Sequence, residues 1–251
     1  MEANNLFEEI FGWMAGILTF IFFIIVSKPF INLSRGKISL EETPGFYIAL
    51  NYVNSLCWYI YGDFLYNDCI KKVYFLGCII SFILYFIYLF HEAEKYKKEA
   101  IINGIIIISI TYIIYIGLTI LIGDVDIIAK FCFASNSILF FYLIPRIYYA
   151  IKDKNYTLIP FNRACCSLLT GLFWAIYGYE IDEYYVFLIN IIAIIISMIE
   201  IFLYLKYKRK YFSINVQNKQ KVIRKEENGN KIDEEVQFTL SERPVNIIDK
   251  V

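Results

Sequence analysis

Trp58-Tyr59-Ile60-Tyr61-Gly62 returns 116 residues later as Trp174-Ala175-Ile176-Tyr177-Gly178, and this recurrence decides the fold. Two of the chain's three tryptophans stand in the same register. Moving outward with the same shift and no gap, Pro29 falls on Pro145, Pro44 on Pro160, Ser81 on Ser197, and Tyr88-Leu89 on Tyr204-Leu205. Four of only five prolines take part. Across the 61 pairs from 29 to 89, 15 are identical, where chance in so Ile-rich a chain gives roughly one in ten. The sequence is an internal duplication.

The material around the repeat is membrane-like. Of 251 residues, 59% are hydrophobic and 19% aromatic, 24 basic residues balance 24 acidic ones, and the mean hydropathy is +0.53. No single water-soluble core needs that much apolar material. The apolar residues fall into seven blocks, near 9–29, 44–66, 72–91, 101–122, 127–150, 159–180 and 184–206, each about the twenty residues that cross ~30 Å of hydrocarbon. Ile, Asn, Lys, Tyr and Phe are over-used together, so the aromatic excess alone marks no binding site. Position has to carry that argument. Of the six cysteines only Cys69 lies outside the blocks, and with no CxxC pair among them we expect neither a metal site nor a disulfide framework. Met1 to Phe11 is acidic and no cleavage pattern follows the first block, so that block is expected to stay as a helix.

Lys and Arg concentrate at the first, third and fifth loops (Lys28, Arg35, Lys37, Lys95, Lys97, Lys98, Arg146, Lys152, Lys154) and at Lys206, Lys208, Arg209 and Lys210. The other loops hold only Lys71, Lys72 and Lys130. By the positive-inside rule the C-terminus is cytoplasmic and the N-terminus extracellular or lumenal. The sequons at Asn32 and Asn155 then fall on the cytoplasmic side and read as chance matches. The stretch 211–251 mixes charges of both signs with Asn, Gln and Ser and has no sustained periodicity, which predicts a disordered tail. The organisation expected is a first three-helix repeat at 9–91, a linker helix with flanking loops at 92–126, a second repeat at 127–207, and a disordered cytoplasmic tail at 208–251. With three spans per copy and one between, both copies enter the membrane from the same side. The fold class is therefore an all-α membrane protein of seven transmembrane helices, two parallel three-helix bundles joined by a linker helix (3+1+3), related by a pseudo-two-fold axis along the membrane normal.

This arrangement resembles the SWEET family of sugar transporters over about residues 9–207. The motifs agree with the span count. Lys154-Asn155-Tyr156-Thr157-Leu158-Ile159-Pro160-Phe161 is similar to the family's Lys-Ser-x-x-x-Met-Pro-Phe, Trp174-x-x-Tyr177-Gly178 to its Trp-x-x-Tyr-Gly, and Asn190 with Tyr204 to the two ends of its last helix, with Glu200 where Gln is usual. The resemblance implies a sugar pocket at Trp58, Trp174 and Asn190. It would put a second Asn 116 residues before Asn190, where this chain has Tyr74, a single hydroxyl with much more bulk. It also implies an outer gate in which a tyrosine meets an acid, here Tyr61 with Glu183, beside the repeat-related Tyr177.

A neutral sugar crossing a bilayer must exchange water for protein hydrogen bonds and lay its C–H faces on something flat. Trp58 and Trp174 each lie fourteen residues, about 21 Å of helix, from the second proline of their copy, so they reach a similar depth and could sandwich one ring-shaped solute. Asn54 and Thr170, one turn before them on the same face, are candidate polar lining groups. Pro29, Pro44, Pro145 and Pro160, near the cytoplasmic helix ends, each remove a backbone donor and are candidate hinges. No catalytic constellation, metal spacing or cofactor motif is present; the sole histidine, His91, ends a helix beside Glu92 and Glu94. Among intramembrane carboxylates only Glu200 qualifies as an ion-coupling site, and its expected neighbours are Lys206 or Lys208. That favours bidirectional, facilitated diffusion (uniport) of small sugars by alternating access, without cofactor. Rival readings are another member of the helix-repeat superfamily moving an amino acid or other polar solute, or a seven-span receptor. The parallel repeat counts against a seven-span receptor, the amino-acid exporters' Pro-Gln dipeptide is missing, and Arg163, the lone basic candidate for the cavity of a retrieval receptor of the same helix plan, reads as a cytoplasmic-end anchor. The partners expected are a small sugar and the lipid bilayer of a plasma membrane or endomembrane, with a homo-oligomer left open and no nucleic acid.

Overall fold

The computed structural model describes residues 2–40, 43–117 and 124–227. Seven α-helices lie within them: α1 (Glu2–Ser34), α2 (Gly45–Phe64), α3 (Asp68–Lys95), α4 (Lys97–Ile116), α5 (Val125–Lys152), α6 (Phe161–Glu180) and α7 (Tyr184–Glu227), with a 3-10 turn at Tyr156–Leu158 before α6. Four stretches are each long and apolar enough to cross a bilayer: Glu9–Ser34 of α1, α3, α5 and Tyr184–Phe212 of α7. Between 28 and 33% of the most apolar window in each is buried, so most of that surface is left for lipid. The helices α2 and α6 have 20 residues apiece, about 30 Å of rise. They carry Asn51, Asn54, Arg163 and Thr170 on faces turned to the protein interior.

The packing puts α2 and α6 at the centre. The helix α1 packs on α3 and α6, α2 on α3, α4 and α5, and α7 on α5 and α6, while α4 leans on α3 and α2. Asn103 of α4 donates to the buried Glu92 of α3 at 3.0 and 3.2 Å, which ties the fourth helix to the third. Equivalent positions in the two copies make equivalent links. Asn51 donates to Ser81 at 3.0 Å between α2 and α3, and Ser197 donates to Ser167 at 3.0 Å between α7 and α6. Without water to compete, such polar pairs hold transmembrane helices together.

The turns after α2 and α6 also match. Tyr66 and Asp182 take left-handed φ values of 53° and 56°. The following amides reach back, Asn67 N to Gly62 O at 2.9 Å and Glu183 N to Gly178 O at 2.8 Å, which satisfies carbonyls orphaned at the helix ends. Here the two glycines are required by close approach. A Cβ at Gly62 would sit 2.6 Å from the backbone nitrogen of Lys71, and one at Gly178 2.7 Å from that of Phe187. Because backbone cannot swing aside as a side-chain tip does, Gly178→Val is expected to cost about 1–3 kcal/mol or more through overpacking. A lowered thermal midpoint for the detergent-solubilised protein checks this.

Two features depart from the sequence expectations. The helix α7 continues to Glu227, so the predicted disordered tail is helical over 208–227. Nucleation is already supplied by the membrane span, and adding residues to an existing helix costs only propagation. The rest of that tail, 228–251, lies outside the described residues, as does the end of the predicted fourth span beyond 117. The prolines differ in placement: Pro29 and Pro145 are inside α1 and α5, which run on to Ser34 and Lys152, whereas Pro44 and Pro160 occupy the N-cap positions of α2 and α6.

Candidate functional site

Between α1, α2, α3, α5, α6 and α7 lies a cavity of about 130 Å³. Its wall is built largely from repeat-related pairs. Tyr47 and Arg163, Asn51 and Ser167, Asn54 and Thr170, and Phe23 and Leu139 all line it, each pair 116 residues apart. Since α2 and α6 present their positions at helical spacings of three and four, these pairs form successive rings along the cavity. Most ligand sites enclose several hundred Å³, so the space is contracted around its axis.

Three aromatic rings close its deep end. Tyr74 of α3 lies between the tryptophans, with centroids 5.7 Å from Trp58 at 22° and 5.8 Å from Trp174 at 32°. The sandwich expected for a solute is thus occupied by a side chain of the protein. Trp174 and Tyr74 line the cavity, while Trp58 sits behind Tyr74 with 2% exposure and an indole nitrogen that has no acceptor. The Trp174 indole donates to Thr19 Oγ1 at 2.8 Å, and Thr19 in turn donates to the carbonyl of Ala15. Ser135 donates to the side-chain oxygen of Asn54 at 2.7 Å, and Asn190 gives an amide hydrogen to the carbonyl of Val186 at 2.7 Å. Of the residues expected to line a pocket, Tyr74, Trp174, Asn190, Asn54 and Thr170 converge on one space.

Beyond the aromatic layer, two tyrosines reach across the helix bundle. Tyr61 of α2 donates to Glu183, just before α7. Tyr177 of α6 lies 2.8 Å from the Asn67 amide nitrogen and 3.0 Å from its oxygen, just before α3. Tyr61 maps to Tyr177 and Asn67 to Glu183 under the 116-residue shift, so the two copies make equivalent tyrosine contacts, a candidate latch. Asn67 was missing from the sequence expectations, although the shift that pairs the tyrosines also pairs Asn67 with Glu183. Thr19 lies outside the stretch 29–89 that carried the repeat, and its mate Ser135 bonds Asn54 rather than a tryptophan. The four prolines are at the opposite end of α2 and α6 from this latch. A hydrogen bond to a charged group contributes about 1.5–3 kcal/mol. Tyr61→Phe is therefore expected to raise the labelling rate of Cys69, which sits by Tyr177 at the latched end, by roughly tenfold with a membrane-impermeant maleimide. Unchanged labelling would mean the latch does not hold that end shut.

At the far end of the cavity the structure corrects two expectations. Glu200, 1% exposed, pairs with Arg163 at 2.5 Å rather than with Lys206 or Lys208. Arg163 is buried against the cavity and is no surface anchor. Glu200 and Arg163 belong to adjacent turns of packed helices, so the contact depends on how α6 meets α7, which spacing along one helix does not reveal. Tyr47 continues this end across to α5, its ring 5.4 Å from that of Tyr142.

Comparison with known proteins converges on one group. The family model described as "Sugar efflux transporter for intercellular exchange" matches residues 126–211. The chain is 26% identical over 211 residues to "Sugar transporter SWEET1" of Dictyostelium discoideum, covering 80% of this chain and 93% of that one. It is 24% identical to "Bidirectional sugar transporter NEC1" of Petunia hybrida, over 83% of this chain and 79% of that one. The solved structure of a eukaryotic SWEET transporter superposes with a TM-score of 0.74 at 15% identity, over 82% of this chain and 99% of that chain, which speaks to the fold. The chain is similar to SWEET sugar transporters over about four-fifths of its length. The protein is an integral multi-pass membrane protein and a carrier, not an enzyme. The family-model match covers the second copy, which holds the better preserved motif around Pro160 and Trp174.

Proposed function

We propose that this protein is a SWEET that equilibrates small sugars across its membrane by facilitated, bidirectional uniport through alternating access. The observation that carries the reading is the aromatic-floored, polar-walled cavity between repeat-related helices. Trp174 and Tyr74 offer flat faces to the C–H side of a sugar ring, while Asn190, Asn54 and Thr170 offer donors and acceptors to its hydroxyls. Trp58 supports Tyr74 from behind.

The reading includes a 3+1+3 architecture, with the first copy at 9–91, the connector at 92–126 and the second at 127–207. Its support is that helix contacts come in matched sets: α1 with α6 and α5 with α2, α2 with α3 and α6 with α7, α1 with α3 and α5 with α7. The latch end is then extracellular or lumenal together with the N-terminus, and the proline-bearing end is cytoplasmic, as the distribution of Lys and Arg favours. Pro29, Pro44, Pro145 and Pro160 act as the swivels that open the cytoplasmic mouth while the Tyr61–Glu183 and Tyr177–Asn67 contacts close the outer one. Uniport is supported because Glu200, the buried carboxylate beside the cavity-lining Arg163, is already paired with that arginine; ion-coupled carriers keep such groups free to bind protons or cations.

Purified protein reconstituted in vesicles and assayed for uptake of labelled hexoses and disaccharides tests the proposal. Sugar flux down its gradient in both directions, unaffected by an imposed proton gradient, is the expected result. A flux that follows the proton gradient would refute uniport, and the absence of any sugar flux would refute the substrate class.

A further inference from the structure

Along α6, Arg163, Ser167, Thr170 and Trp174 follow one another at steps of four, three and four and share one face. Their mates on α2 are Tyr47, Asn51, Asn54 and Trp58. The ring formed by Tyr47 and Arg163 is the one in which the two copies differ in charge. Glu200 sharpens the asymmetry, since its mate in the first copy is Leu84. The guanidinium is held inside the bundle with one terminal nitrogen on Glu200, while its Nε is buried without any acceptor. An arginine presents five N–H donors in a rigid fork, so Glu200 satisfies only part of it.

Stability does not account for this pair. Removing two charges from water is costly, and well-packed apolar replacements are often neutral or stabilising. A half-satisfied guanidinium beside a cavity is, by contrast, suited to a ligand that brings acceptors. We propose that Arg163 is a further substrate-contacting residue, donating its unused N–H groups to two neighbouring oxygens of a polyhydroxylated solute at the proline end of the cavity. Glu200 is the positioning residue that holds the fork toward the cavity. The inference rests on the sugar reading above and adds an orientation to it. The solute lies with its C–H face on Tyr74 and Trp174 and an adjacent hydroxyl pair toward α6.

The test compares a hexose with its series of monodeoxy analogues, binding being followed by tryptophan fluorescence on the full-length protein in detergent. Wild type is expected to lose affinity by roughly tenfold or more for the analogue lacking a hydroxyl that meets Arg163. The double variant R163M/E200L, which removes both charges together, is expected to bind the hexose weaker by a similar factor and to lose that discrimination. A merely structural role would lower affinity for the whole series alike, so an unchanged pattern in the variant overturns the inference and leaves the sugar reading standing. Wild type that binds no hexose or disaccharide overturns both. Should the double variant not fold, R163K carries the same comparison, because it keeps a charge for Glu200 and loses the fork. E200Q, which retains an acceptor for Arg163, is expected to keep the pattern at reduced affinity, and wild-type affinity there would remove Glu200 from the assignment.

Discussion

Trp174→Ala is expected to lower sugar flux at least tenfold and to destabilise the protein by about 3–5 kcal/mol, the range for deleting a buried large aromatic side chain. Three contacts go at once: the stack on Tyr74, the edge contact with Tyr177 at 5.5 Å and 76°, and the indole bond to Thr19 that joins α6 to α1. Without Trp174 the Tyr74 ring loses the partner that holds it across the cavity floor. The control is Trp58→Ala. Trp58 is as deeply buried, at 2% exposure, but it stands behind Tyr74 and donates no indole hydrogen bond. A similar drop in thermal midpoint with a smaller loss of flux is expected there. Equal flux losses in the two variants would show that flux reports only stability, and wild-type flux in Trp174→Ala would remove it from the solute path. Trp174→Phe keeps a flat ring and drops the donor, while Thr19 retains its bond to Ala15 at 2.8 Å, so an intermediate flux is expected.

Arg163→Ala is expected to be as damaging to the fold. It leaves Glu200, 1% exposed, without its counter-ion between α6 and α7, and removing one member of a buried pair costs about 3–5 kcal/mol. Removing both members should restore much of that loss, because no charge is then stranded. The measurement is a thermal unfolding series on Arg163→Ala, Glu200→Leu and R163M/E200L. Additive losses in the double variant would mean the two side chains contribute independently, against the short contact between them. The comparison also separates stability from transport, since a double variant that folds well and binds poorly isolates what Arg163 does for the solute.

Much of this molecule was legible in one dimension. Apolar blocks of about twenty residues, with charges between them, are a property of composition along the chain, because hydrocarbon thickness sets the length of a span. The duplication was legible for the same reason: Pro29 with Pro145, Trp58 with Trp174 and Gly62 with Gly178 are comparisons of residue types at fixed spacing. The two glycines then mark places where the backbones of α3 and α7 come close to α2 and α6. Helix ends were less legible. Pro29 read as the end of the first span, yet α1 continues past it to Ser34, since a membrane helix can lose one backbone bond where neighbouring groups compensate.

What tertiary structure alone decided is which side chains meet. Tyr74 and Trp174 are 100 residues apart, and only the way α3 and α6 cross the bundle slips the Tyr74 ring between two tryptophans that symmetry alone would leave free to hold a solute. Arg163 and Glu200 likewise find each other through the packing of α6 on α7, which turned an apparent surface anchor and an apparent tail partner into one buried pair. Sequence determined the spans, the repeat and the candidate wall, because span length and repeat spacing run along the chain. Which of those residues face the cavity, and which already have partners, was decided by helix crossing and rotation, which no single helix carries in its own sequence.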